Sequence, residues 1–252
     1  MRGQSTFKFY GSLKDFFSSK KRHGELCYSF VGKPSIKDAI ESLGVPHPEV
    51  ALILVDDQPA SFERPLRCGQ DIHVYPPSDT PPCEQRHLLP LRPPEIRFIL
   101  DVHLGILAKC LRILGFDVIY EPDDMGDARI ARIAHEEKRI LLTRDIGLLK
   151  RSAVVYGYWI RDQSAQQQLR EVVARYDIER HQCKPFSRCL TCNDNLISVA
   201  KDAVLDRLKP KVRDRYNDFR QCLACERIYW KGSHYRSMKE LIDNLWAVPS
   251  SG

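Results

Sequence analysis

Two short cysteine knuckles, CLTC at 189–192 and CLAC at 222–225, constrain this chain more than any other feature in it. The 29 residues between them suit two hairpin turns that together present four sulfurs to one ion. Cys189, Cys192, Cys222 and Cys225 are therefore expected to hold one structural zinc ion per chain in a ribbon-like C-terminal unit. Four thiolates fill a tetrahedral shell and leave no open position for catalysis. A redox-active pair would have no need of a second matched pair, and four buried free thiols are the remaining alternative. The chain carries nine cysteines in all. In a reducing compartment that usage favours metal binding or buried thiols over a disulfide framework.

That compartment follows from what precedes the knuckles. The N-terminal MRGQSTFKFYG lacks the continuous apolar stretch of a signal peptide. The longest apolar runs, such as Ile53 to Val55 and Ile140 to Leu142, fall far short of the roughly 20 residues a membrane helix needs. A cytoplasmic protein with no membrane span is expected. The net charge of +6 is unevenly spread: residues 182–252 hold thirteen Lys/Arg against eight Asp/Glu, whereas residues 76–181 are balanced at sixteen each. The excess leans mildly toward polyanions. Around the second knuckle, RIYWKGSHYRSM interleaves aromatic residues with Arg227, Lys231, His234 and Arg236, a composition suited to single-stranded RNA. Packing of Tyr229 and Trp230 onto the ribbon is the alternative for those two rings.

A Pro-rich stretch divides the rest: seven of the sixteen prolines fall within residues 76–94. Such a run sustains neither a helix nor a central strand and reads as a semi-rigid linker. Before it, FKFYG, ELCYSFVG, VALILVDD and DIHVYP read as strands, and SIKDAIESLGV as a helix opened by Ser35. A ββαββ order makes an α+β unit in which the first and last strands can pair centrally. This order resembles the ubiquitin-like β-grasp fold, and RCGQDIHVYPP resembles the ending of its sulfur-carrier branch. A sulfur carrier would end in a free Gly-Gly, but here the chain runs on through Pro76 and Pro77, which counts against a sulfur-carrier scaffold. The unit is instead expected to dock a protein partner or orient a substrate. It should also be separable, so that removal of residues 1–77 leaves a folded remainder.

After the linker the pattern changes to strand and helix in alternation: EIRFILD, LGILAKCLRILG, FDVIYE, DARIARIAHEEK, RILLTRD and VVYGYWIRD, then a helix through Gln168 to Tyr176. Alternation of this kind predicts a parallel α/β sheet with all strand C-termini on one edge. In LGILAKCLRILG, Leu104, Leu107, Ala108, Leu111 and Leu114 recur at helical spacing and form the core face, leaving Lys109 and Arg112 on a more exposed side as candidate phosphate contacts. Asp101 closes the first strand, Asp123, Asp124 and Asp127 follow the second, Asp145 ends the third and Asp162 follows the fourth. Each alone could serve as a helix N-cap. Together they fall on the carboxyl edge, where such sheets build their sites. Clustered carboxylates call for a hard divalent cation, Mg²⁺ or Mn²⁺. Such an ion suits in-line attack on a phosphodiester, and Arg144, Lys150 and Arg151 are candidates to neutralise the nucleic-acid backbone. No Gly-rich phosphate loop, Gly-x-Ser-x-Gly elbow or His-Glu-x-x-His helix occurs, so no nucleotide cofactor is expected.

The blocks DVHLGILAKCLRILGFDVIYE and DARIARIAHEEKRILLTRD, the Gln-Leu of QQQLREV and the four-cysteine ending resemble the Mut-seven C-terminal ribonuclease family. Bacterial members of that family often carry the same β-grasp domain in front. The resemblance implies a PIN-like nuclease fold with an appended zinc ribbon and metal-assisted RNA cleavage. Asp101, Asp127 and Asp145 match the acidic positions of the PIN pattern, and Asp123 or Asp124 stands in for a further acid. The expected layout is a β-grasp domain at 1–77, the linker at 78–94, a PIN-like domain at 95–181 and the zinc ribbon with its extension at 182–252. The expected function is a divalent-metal-dependent ribonuclease acting on RNA; a noncatalytic RNA-binding or adaptor protein on the same fold is the alternative.

Overall fold

The computed structural model describes residues 2–20, 22, 24–81, 92–123 and 125–246. The middle of the Pro-rich segment, residues 82–91, and the candidate acid Asp124 lie outside the described residues. The chain opens with strands β1 (Arg2–Phe9) and β2 (Leu26–Val31), helix α1 (Ile36–Leu43), and strands β3 (Leu52–Val55), β4 (Gln58–Pro59) and β5 (Asp71–Tyr75). There follow β6 (Arg97–Leu100), α2 (Gly105–Ile113), β7 (Asp117–Ile119), α3 (Asp127–Glu136), β8 (Ile140–Thr143), α4 (Ile146–Leu149), β9 (Gly157–Trp159) and α5 (Ala165–Arg175). The last part holds β10 (Leu196–Val199), α6 (Pro210–Arg215), β11 (Phe219–Cys222), β12 (Ile228–Trp230) and α7 (Ser233–Leu245). Among the described residues no helix is long and apolar enough to cross a membrane.

Two compact units divide this path: residues 1–101 with 124–160, and residues 102–123 with 161–252. The segment 95–181 contributes to both. In the first unit, five strands form a sheet in the order β2-β1-β5-β3-β4. The first and last long strands do pair centrally and in parallel, with Thr6 opposite Asp71. Alternation in β1 sends Ser5, Phe7 and Phe9 inward, and α1 lays Ile36, Ala39 and Ile40 against that face. Ser35 opens α1 through a reciprocal capping box with Asp38, both bonds being 3.1 Å long. Gly44 stops the helix at φ 121°, a value that strains any residue with a side chain. This is a β-grasp.

The same unit contains a parallel run of strands, β6 beside β8 beside β9, with Phe98 opposite Ile140 and Leu141 opposite Gly157. Their apolar sequences, RFIL and ILLT, are those of strands covered on both faces. Helix α3 turns Ile130, Ala131 and Ala134 inward.

The β-grasp is not a loosely tethered module. Its His47–Glu49 turn is buried against the outer side of β9, where the Trp159 amide donates to Glu49 Oε1 at 2.7 Å. His47 Nε2 meets the Val154 carbonyl at 2.7 Å while its Nδ1 meets Glu41 Oε1 at the same distance. Lys150 Nζ donates to the Glu41 carbonyl at 2.6 Å, and the rings of Phe16 and Trp159 lie 4.9 Å apart. The expectation of a separable N-terminal unit is thereby corrected. Buried polar groups of the β-grasp have their partners on β9 and the turn before it, and an unpaired buried group is costly.

In the second unit, Leu104, Leu107, Ala108, Leu111 and Leu114 of the α2 region are buried as expected, and α5 packs on this helix through Leu169 and Val172. Strands β10, β11 and β12 form an antiparallel ribbon whose one face buries Phe219 against Val204 and Leu208.

Candidate functional site

The strongest cluster of ligand atoms is the one the knuckles foretell. The sulfurs of Cys189, Cys192, Cys222 and Cys225 all lie within 4.8 Å of one another. Cys192 and Cys222 are 3.3 Å apart and Cys189 and Cys225 3.6 Å, close to the edge of about 3.8 Å that tetrahedral Zn–S bonds of about 2.3 Å require. The donor set is therefore compatible with structural zinc. Burial raises the Cys189 thiol, but hydrogen bonds from the Cys192 amide, the Tyr229 hydroxyl and the Thr191 amide outweigh it and bring the thiol down to about 6. Burial pushes Cys222 up to about 12. One thiolate is thus favoured by the protein alone, and a fully ionised set needs a cation.

The knuckle is anchored by residues read differently from sequence. Arg112, expected on an exposed side of α2, is only 4% exposed. Its guanidinium donates to the Val118 carbonyl through Nε and Nη2, and to the carbonyls of Leu190 and Thr191 through Nη1. Its assignment as a phosphate contact is corrected: these donors are spent holding the first knuckle to α2 and β7. Burial lowers its pKa, with the nearby cysteines acting the other way. Asn193, at φ 70°, accepts from the Val118 amide at 2.9 Å and donates to Asp117 at 2.9 Å.

The carboxyl edge of the parallel strands carries the second candidate centre. Asp101, 7% exposed at the end of β6, accepts from the Thr143 hydroxyl and, at 3.1 Å, from the Arg144 amide. Thr143 Oγ1 in turn accepts from the Asp145 amide at 2.8 Å. The Asp101 carboxylate and the Asp145 main-chain amide thus share the Thr143 hydroxyl, which sets the backbone of residue 145 beside Asp101. Asp145 caps α4, taking the amides of Gly147 and Leu148 on Oδ1. Asp127 is not a cap, since Gly126 holds that position; it pairs with Arg151 at 3.4 Å. Among the described residues, Asp101, Asp127 and Asp145 do not form a set with ligand atoms mutually within 4.8 Å. Asp162 accepts from the Ser164 amide ahead of α5, and Asp123 is exposed.

The other basic candidates differ in availability. Arg144 and Lys109 are exposed. Lys150 is corrected as a phosphate contact, because its ammonium sits on the Glu41 carbonyl and burial lowers its pKa against the field of Glu41. Thr143 was missed in the sequence; a hydroxyl closing an otherwise apolar strand was its signal.

The family described as Mut7-C RNAse domain matches residues 96–242, and that described as Mut7-C ubiquitin matches residues 3–81. The chain belongs to the Mut7-C RNAse domain family. An exonuclease mut-7 homolog from Homo sapiens is 32% identical over 111 residues, which make up 42% of this chain and 13% of that protein. The Mut7-C chain therefore aligns with a small part of that longer relative. No solved structure matches it.

Proposed function

We propose that this protein is a divalent-metal-dependent ribonuclease whose centre is built on Asp101, Asp145 and Asp127. The observation that carries the reading is the placement of the buried Asp101 carboxylate and of Asp145 at the carboxyl ends of adjacent parallel strands, with the Thr143 hydroxyl donating to the Asp101 carboxylate and accepting from the Asp145 main-chain amide. Capping accounts for the Asp145 carboxylate but not for that of Asp101, 7% exposed on the neighbouring strand. Membership of an RNase family supports RNA as the substrate. When bound, Mg²⁺ or Mn²⁺ supplies Lewis-acid stabilisation of phosphoryl oxygens and activation of water. Such ions keep several waters and need only one or two carboxylates directly, so Asp101 and Asp145 would hold the ion and Asp127 would act from further out. Thr143 fixes the Asp101 carboxylate, the α4 amides fix that of Asp145, and exposed Arg144 offers a cation for the RNA backbone. The cysteine site, with its coordination filled, serves as structural zinc.

The test is single-turnover cleavage of a labelled RNA against Mn²⁺ concentration. Asp101→Asn and Asp145→Asn are expected to slow it by about a hundredfold or more, since several kcal/mol of charge stabilisation are at stake. Asn caps a helix as well as Asp, so Asp145→Asn should fold normally. Cleavage at wild-type rates by both variants would refute the assignment. A wild type inert under every metal would leave the noncatalytic RNA-binding reading in its place.

A further inference from the structure

The second unit contains a cleft of about 550 Å³ on the ribbon, whose lining includes Phe219 of β11. Cross-strand register places Ser198, Arg220 and Tyr229 in one row on the ribbon face opposite the Val204–Leu208–Phe219 core, and these three line the floor. Phe186 and Tyr235 form a wall, their rings 4.5 Å apart. Trp230, 39% exposed, and Lys231 stand at the rim.

Three properties of this cleft point to a ligand. Phe186 adopts φ 60°, a left-handed conformation that a bulky residue takes only when its surroundings hold it there. Here its amide donates to the Ile113 carbonyl at 2.9 Å and its carbonyl accepts from Arg220 at 2.6 Å. Strain is thus spent on aiming an aromatic ring at an open cleft. The lining carries three cations, Arg188, Arg220 and Lys231, and one acid, Asp218; Lys231 pairs with Asp218 at 3.2 Å and Arg188 with Asp117 at 3.9 Å. Arg220 uses Nη1 on Phe186, with the rest of its fork directed by the same planar group. Finally, aromatic faces alternate with these cations over a space sized for one planar ring system and its phosphate.

We infer that this cleft binds an unpaired nucleotide of a single-stranded RNA, its base stacked on the Phe186–Tyr235 wall under Trp230 and its phosphate on Arg220 and Lys231. Aromatic faces accept any base, so the site grips without reading sequence, and a base locked in a duplex cannot enter. It rests on the ribonuclease reading only for the choice of RNA. The site would hold a strand at a place other than the carboxylates.

The experiment uses the full chain and a fluorescein-labelled 12-residue oligouridylate, read by anisotropy without added Mg²⁺ or Mn²⁺ so that binding is separated from cleavage. Loss of one stacked base predicts binding weakened by about fivefold to about a hundredfold in Tyr235→Ala and in Trp230→Ala. Tyr235→Phe and Trp230→Phe should bind nearly as the wild type. Zinc content and circular dichroism report that each variant is folded, and a hairpin duplex should compete poorly. Wild-type affinity in both folded alanine variants overturns the proposal. So does displacement of the RNA by an acidic peptide whose own binding the variants weaken more, which would make the cleft a peptide site. If the alanine variants lose RNA while the wild type cleaves nothing with any metal, the cleft stands and the nuclease reading falls.

Discussion

Removing the carboxylate of Glu49 should loosen the seam between the β-grasp and β9. Glu49 is 1% exposed, and its Oε1 accepts the amide of Trp159 on the side of β9 that faces away from β8. An edge strand with an unpaired amide is both unstable and open to pairing with another chain. In Glu49→Ala the part-buried amide loses its acceptor, at a cost of about 1–3 kcal/mol. Gln at the same position retains an acceptor oxygen and should cost less than about 1 kcal/mol. With a urea m-value of about 3 kcal/mol/M, a loss of about 1.5 kcal/mol lowers the midpoint by about 0.5 M. Tryptophan fluorescence of the full chain in urea measures it, Trp159 being one of the three tryptophans and its ring lying 4.9 Å from that of Phe16. Truncation of residues 1–77 is the severe form of the same change and should give an aggregating fragment. An Ala variant with the wild-type midpoint, or a soluble and folded truncation, would refute the claim that the β-grasp completes this unit.

Purified protein should carry about one zinc per chain by elemental analysis, and Cys192→Ser or Cys225→Ser should lose it together with local structure. Arg112→Met strands three buried carbonyls and should cost about 2–4 kcal/mol in chemical denaturation, whereas Lys109→Met on the exposed face should cost less than about 0.5 kcal/mol. Gly115→Ala should be poorly folded by circular dichroism, because at φ 95° a Cβ would be strained and would collide with the Lys184 carbonyl.

The elements themselves were legible because each is dictated locally. Ser35 and Asp38 start α1, alternation marks β1, and the leucine spacing of α2 names the residues that are buried. The knuckle spacing foretold the one four-sulfur cluster among the described residues. What could not be read were the polar side chains whose partners are distant in sequence. Arg112 and Lys109 are three residues apart and share a helical side in a wheel, yet Arg112 is covered by carbonyls 78 and 79 residues further on. Lys150 likewise finds its acceptor 109 residues back. Periodicity tells which side of a helix is apolar, not which polar residue will be roofed over by another element.

That roofing ties the cysteine site to the helix after Asp101. The knuckle's carbonyls at Leu190 and Thr191 are held by Arg112 of α2, and the next residue after Cys192, Asn193, satisfies the Val118 amide of β7. At the same end of α2, Lys184 and Phe186 donate their amides to the Leu114 and Ile113 carbonyls, closing the helix C-terminus with the loop that leads into Cys189. Five of the groups that fix α2 and β7 therefore sit on the stretch from Lys184 to Asn193, which carries the first cysteine knuckle. Burial pushes the Cys222 thiol up while hydrogen bonds bring the Cys189 thiol down, and a bound cation would favour the thiolate form of all four. A zinc ion bound by the four thiols would therefore act on the packing of α2 through Arg112 and Asn193, so that a site with no open coordination position still bears on how this unit is held together.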